Sequence, residues 1–199
     1  MTRITTLKTA FIIGNGISRK PVDLHKLVGK GTIIGCNALY REFDKYDYLV
    51  SIDKTFQTII EANDEVFGKD DRIIFPPPDE CWEDLEYSPN RRRSNAGMNA
   101  MLEAIRRDHD KLYCLGFDFL LQDNDLSEDN MFKNQMGYGP ETHANHLDNK
   151  YRIAYLEWFM RKHSNIKFVF VLPDNQPFQP LMASNVSGQY ISKFIEKNC

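Results

Sequence analysis

The chain has 199 residues, 42% of them hydrophobic and 27% charged, which is enough apolar content for a proper core and too much for a disordered segment. A formal net charge of −3 and a pI near 6.0 lack the basic excess that marks proteins devoted to nucleic acid or anionic membrane, so no nucleic-acid partner is expected. Four scattered cysteines, Cys36, Cys81, Cys114 and Cys199, form no C-x-x-C pair, which sets aside a zinc ribbon or disulfide scaffold and leaves reduced thiols in a cytoplasmic protein as the expectation.

The opening MTRITTLKTAF lacks the apolar run of a signal peptide, and no later segment approaches the roughly 20 apolar residues of a spanning helix, so no integral membrane segment is expected. The first predicted strand, AFIIG, breaks into Gly14-Asn15-Gly16, followed by Ser18. The turn resembles a dinucleotide fingerprint, but no third glycine completes it. Further apolar runs follow as TIIGC, DYLVSI, RIIFP, KLYCLG and KFVFVLP, each short and rich in β-branched and aromatic residues, as buried strands are. Helical spacing runs from Asp53 to Val66, from Asn95 to Arg107 and from Asp148 to His163, and the segment Gly188 to Cys199 reads as one last short helix. Strand alternating with helix predicts an α/β fold, a single Rossmann-like domain over 1–199 with a mostly parallel sheet and helices on both faces. Two stretches break the rhythm: 75–93, opening on three prolines and closing on Arg91-Arg92-Arg93, and 120–146, expected to be a lid-like or acceptor-binding loop.

In an open parallel sheet, ligands sit beyond the carboxyl ends of the strands. The residues at those ends are Gly14, Asn15, Gly16 and Ser18, then Cys36 and Asn37, then Asp53, then Gly116 and Asp118. Amide and carboxylate groups there suit ribose hydroxyls or a base edge; taken singly, Asn15 reads first as a turn residue and Asn37 and Asp53 as helix N-caps, and it is the set together that points to a nucleotide. Arg91–Arg93 either reach a phosphate or are a solvated basic run. His143, His146 and Asp148 lack a firm third metal ligand, Asp123-Asn124-Asp125 reads as solvated loop, and no metal site is expected. Cys36 and Cys114 lie in apolar contexts and read as core thiols.

IIGNGIS, then IIGCNALY and VSIDKTF, resemble the opening of the bacterial sialyltransferases of glycosyltransferase family 42, which begin with a strand into G-N-G-P-S and continue with C-N-x-x-Y. SNAGMNAMLEAIRRDHDKLYCLGFDFL resembles that family's T-S-G helix leading to a strand that ends S-G-x-D-F, and His146 stands where the family places its catalytic histidine. The resemblance covers roughly residues 10 to 172. It implies that Asn15, Asn37 and Asp53 face the ribose and phosphate of a cytidine nucleotide, that Gly116 allows close approach to the base, and that Ser94, Asn95, Ala96 and Gly97 supply polar and backbone contacts. It further implies His146 as general base, Tyr138 as a loop contact to the leaving phosphate, a CMP-linked nucleotide-sugar donor in place of any cofactor, and a glycan acceptor. The chain departs from the pattern at Ile17, where the family has proline, and at Ala96, Leu120 and Leu121, where the family carries hydrogen-bonding groups. Three readings follow: an inverting, metal-independent sialyltransferase-like enzyme, a non-catalytic nucleotide-binding protein, and a pyrophosphokinase-like enzyme using ATP. A homo-oligomer stays open.

Overall fold

Seven described strands form one parallel sheet, and each of the six apolar runs contributes one of them: β1 (Thr9–Ile13), β2 (Thr32–Cys36), β3 (Tyr48–Val50), β4 (Ile73–Ile74), β5 (Lys111–Leu115) and β6 (Lys167–Leu172). The computed structural model describes residues 7–62, 71–77, 92–122, 129–139 and 146–199, with the side chains of His146 and Leu147 set apart. The strand order is β4-β3-β2-β1-β5-β6-β7. The chain therefore moves outward from β1 to β4, then returns to the other flank of β1 to lay down β5. The strand order reverses between β1 and β5, which is the place where such sheets open a crevice at their carboxyl edge.

Period-two alternation explains why these runs are apolar throughout. In β1, Ala10 and Ile12 face one core, and Phe11 and Ile13 face the other. In β5 the same division falls between Leu112 with Cys114 and Tyr113 with Leu115. A strand buried on both faces has no polar side to show. On the first face lie α2 (Ala96–Arg106), through Met98, Met101 and Ala104, and α3 (His146–Lys162), through Tyr155, Phe159 and Met160. On the second lies α4 (Ile191–Asn198), whose Phe194 meets Phe11 and Tyr113 at ring centroids 6.1 and 5.4 Å away. A short helix, α1 (Lys54–Glu61), follows β3 and adds Ile60 to the second core.

The C-terminal segment corrects the expectation of a lone helix: a seventh strand, β7 (Val186–Tyr190), precedes α4 and pairs with β6 from Phe168↔Val186 to Leu172↔Tyr190. VSGQY carries a glycine and two polar residues and is largely exposed, as an edge strand can be, so it has no apolar run to announce it. Its start is set by Asn185, whose Nδ2 reaches the carbonyls of Met160, His163 and Ile166 at 3.0–3.1 Å. The helices Ala96–Arg106 and His146–Lys162 begin and end within two residues of their expected bounds, and the one expected from Asp53 begins at Lys54, its expected end at Val66 lying outside the described residues. No helix among the described residues is long and apolar enough to cross a membrane.

Candidate functional site

The glycines of the first turn are explained by a neighbouring loop. Gly14 N–H donates to the Leu115 carbonyl at 2.8 Å and Gly16 N–H to the Gly116 carbonyl at 3.0 Å, so the turns after β1 and β5 zip together where the strand order reverses. A Cβ on Gly14 would stand 2.6 Å from the Gly116 oxygen. Gly116 itself holds φ +69, and a Cβ there would stand 2.8 Å from the Gly14 oxygen. From beneath, Arg19, 3% exposed, donates from Nε to the Gly14 carbonyl at 2.6 Å and pairs through Nη2 with Glu42.

Over this floor opens a crevice of about 230 Å³. The ends of β1, β2, β3 and β5 bring Gly14, Asn15, Gly16, Cys36, Asn37, Asp53 and Gly116 to it, and the start of α2 brings Ser94, Asn95, Ala96 and Gly97. Asp118 and Tyr138 also line it. Ser18 does not: its amide donates to Asp118 Oδ2 at 2.9 Å and its hydroxyl to Asp118 Oδ1, so it positions that carboxylate from behind. Burial raises the Asp118 pKa against the lowering effect of these Ser18 donors. His146 opens α3, but its side chain lies outside the described residues, as do Arg91, Asp123, Asp125 and His143.

Each amide has a distinct situation. Asn15 Nδ2 donates to the Cys36 carbonyl at 3.1 Å and to the Tyr138 hydroxyl at 2.8 Å, while its Oδ1 is buried without a hydrogen-bond partner. Asn37 adopts the left-handed conformation, φ 45, at the turn after β2, and its Oδ1 is likewise buried and unpartnered. Asp53 stands at the N-cap position of α1 without making a capping bond, so its carboxylate is not spent on the helix. Asn95 does cap: its Oδ1 accepts from Met98 N–H at 3.0 Å. That leaves the amides at the first positions of α2 at the crevice wall, where a helix end favours an anion.

The far wall is the segment 129–139. It docks through Met131 N–H to the Asn15 carbonyl, 2.9 Å, and through Phe132 and Tyr138, which cluster with Phe56 of α1 and with Ala38. Gly137, φ +83, lies under the Phe56 ring. Burial pushes the Tyr138 phenol up to about 12, opposed by the side chains of Asn15, Asn37 and Asn130. Burial similarly pushes the Cys36 thiol up to about 12 against the field of Arg19, which makes it a core thiol and a poor nucleophile at neutral pH.

Beyond the strand-end residues, the structure adds Arg152, Lys133, Asp129, Asn130, Phe117 and Phe119 to the lining. Arg93, of the basic run, is there too. It pairs with Asp148, and its N–H donates to the Tyr151 carbonyl at 3.2 Å, which ties the approach to α2 onto α3. Helical phase could have flagged Arg152 as a cation in line with the buried Tyr155, Leu156 and Phe159; Lys133 and its neighbours sit in a loop with no such signal. Among the described residues no group of three or more His, Cys, Asp or Glu could hold a metal ion.

No family model, curated protein or solved structure matches the chain. What the site can do therefore has to be read from its own groups. Amide oxygens suit hydroxyl or amine donors, while guanidinium, ammonium and helix-end amides suit phosphate oxygens.

Proposed function

We propose that the crevice binds a nucleotide, and that the protein is a glycosyltransferase of the family 42 sialyltransferase type, passing a sugar from a cytidine-type nucleotide sugar to a glycan hydroxyl with inversion. The observation that carries this reading is one crevice in which the buried Oδ1 atoms of Asn15 and Asn37 lack partners alongside Arg93, Arg152 and the start of α2. A buried acceptor left unpaired costs about 1–3 kcal/mol, which a ligand's hydroxyl or amine can recover. The volume falls below the roughly 300–1,000 Å³ of drug-sized sites, so a nucleoside phosphate fills it and the donor sugar extends past its mouth.

In this reading His146, at the start of α3, takes the proton of the acceptor hydroxyl as that oxygen attacks the anomeric carbon. The bond from this carbon to the phosphate oxygen breaks, and the electron pair leaves with the nucleotide. An imidazole is partly neutral near pH 7 and so serves as base. The departing phosphate gathers charge that the crevice cations meet.

A melting-temperature panel of CMP, UMP and AMP tests the binding. A ligand at a hundred times its dissociation constant adds about 2.7 kcal/mol, or roughly 5–10 °C for a chain of this size. The His146→Ala protein should keep the CMP shift and lose transfer from CMP-sialic acid. The absence of any nucleotide shift refutes the proposal, and adenine selectivity redirects it to an ATP-using enzyme. A second reading, nucleotide binding without transfer, is favoured by Leu120 and Leu121, which are 1% and 6% exposed and belong to the first core. They offer no donor where the resembled family has tyrosines. That reading expects the CMP shift with no turnover of any sugar nucleotide.

A further inference from the structure

The charged groups of the crevice are unevenly matched. Lys133 has Asp129 at 3.4 Å, and Arg93 has Asp148. The Asp118 carboxylate accepts from Ser18. Arg152 differs: Nη1 donates to the neutral Asn149 Oδ1 at 3.2 Å, Nε is buried with no partner, and no carboxylate stands within ion-pair distance of it among the described residues. Among the described residues Arg93 and Arg152 have one carboxylate close to both, Asp148, and it is ion-paired to Arg93. Desolvation draws the Arg152 pKa down to about 10, with Asp148 opposing and Arg93 adding to the fall. A guanidinium in such a position costs stability unless an anion completes it.

We propose that Arg152 is the anion anchor of the crevice: its guanidinium, with Arg93 beside it, takes the phosphate of the bound nucleotide, so that the site selects phosphorylated ligands over nucleosides. The inference rests on the nucleotide reading above and adds the residue that recognises the charge. Helix α3 contributes this cation from outside the strand ends, and it is the group that meets the leaving phosphate where Leu120 and Leu121 cannot.

The test is calorimetric titration of CMP, cytidine and sodium pyrophosphate into the wild-type chain and into Arg152→Gln, Arg152→Lys and Asp148→Asn. A lost charge-assisted contact weakens binding about tenfold to a hundredfold. Arg152→Gln should lose that much CMP affinity and leave cytidine unchanged, with Arg152→Lys between the two. Asp148→Asn, which removes the competing carboxylate, should tighten CMP binding severalfold and keeps the test decisive if the Arg152 variants fail to fold. If Arg152→Gln keeps the wild-type ratio of CMP to cytidine affinity, or Asp148→Asn leaves CMP binding unchanged or weaker, the anchor is overturned while the nucleotide reading stands. If neither CMP nor cytidine binds but pyrophosphate binds the wild type and not Arg152→Gln, the nucleotide reading falls and the anchor stands. If nothing binds the wild type, both fall.

Discussion

Gly116→Ala isolates the contact that shapes the crevice floor. Gly116 sits at φ +69, and a methyl there would meet the Gly14 oxygen at 2.8 Å and Gly16 N at 3.0 Å. The left-handed backbone costs a non-glycine residue about 1–2 kcal/mol. Alanine returns about 0.4–1 kcal/mol by restricting the unfolded chain. Forcing a methyl against backbone adds about 1–3 kcal/mol, for a net loss of about 1–5 kcal/mol with its centre near 3. Gly29 supplies the control, since it holds φ +79 with nothing within 4 Å of an added Cβ. Gly29→Ala should therefore lose only about 1 kcal/mol or less, the backbone part alone. Urea denaturation of the two variants, read by the shift of midpoint at constant slope, measures the difference. Equal midpoints for Gly116→Ala and Gly29→Ala would refute the tight packing of the β1 and β5 turns. The clash would also separate these turns, so Gly116→Ala should weaken any nucleotide bound above them more than Gly29→Ala does.

Tyr138 should give an alkaline signature. The unfolded phenol releases its proton near pH 10 and the folded one only near 12, so its stabilisation is complete below pH 10 and disappears as pH rises to 12. Tyr138→Phe should remove up to about 3 kcal/mol of that pH dependence, seen as a flatter plot of urea midpoint against pH; an unchanged slope would count against the buried hydroxyl. The Arg19 and Glu42 pair should show the asymmetry of buried charge. Glu42→Ala leaves a 3% exposed guanidinium unmatched and should cost about 3 kcal/mol, whereas Glu42→Gln, which keeps an acceptor, should cost clearly less; equal losses in thermal melts would contradict this.

Six strands are legible because a strand buried on both faces is apolar through its buried positions, as AFII and LYCL are. β7 is not, because VSGQY is held by its hydrogen bonds to β6 and by Asn185, and such pairing leaves no hydrophobic trace. At the site, the strand ends were readable from topology alone, which is why Asn15, Asn37, Asp53 and Gly116 meet in the crevice. Ser18 lies off the crevice lining because a hydroxyl beside a glycine turn can face the crevice or the scaffold, and here it is bonded to Asp118. Arg152 and Lys133 arrive from a helix and a loop whose docking depends on tertiary contacts: Arg93 with Asp148 in one case, Phe132 and Tyr138 on Phe56 in the other. Local spacing places Arg152 in phase with the buried stripe of its helix, but it does not carry where that helix or the loop of Lys133 docks.

The pairing of β1 with β5 has a kinetic consequence. Ile13 lies opposite Leu115, so the first turn acquires its partner only after about a hundred residues of intervening chain are in place, and contacts of such separation form slowly. The β1 and β2 pair, with Ile13 opposite Gly35, is far more local and can form early. A molecule held above the two zipped turns thus has no floor to bind in a partly folded chain. Its presence would lengthen the lifetime of the finished protein and leave the speed of folding untouched.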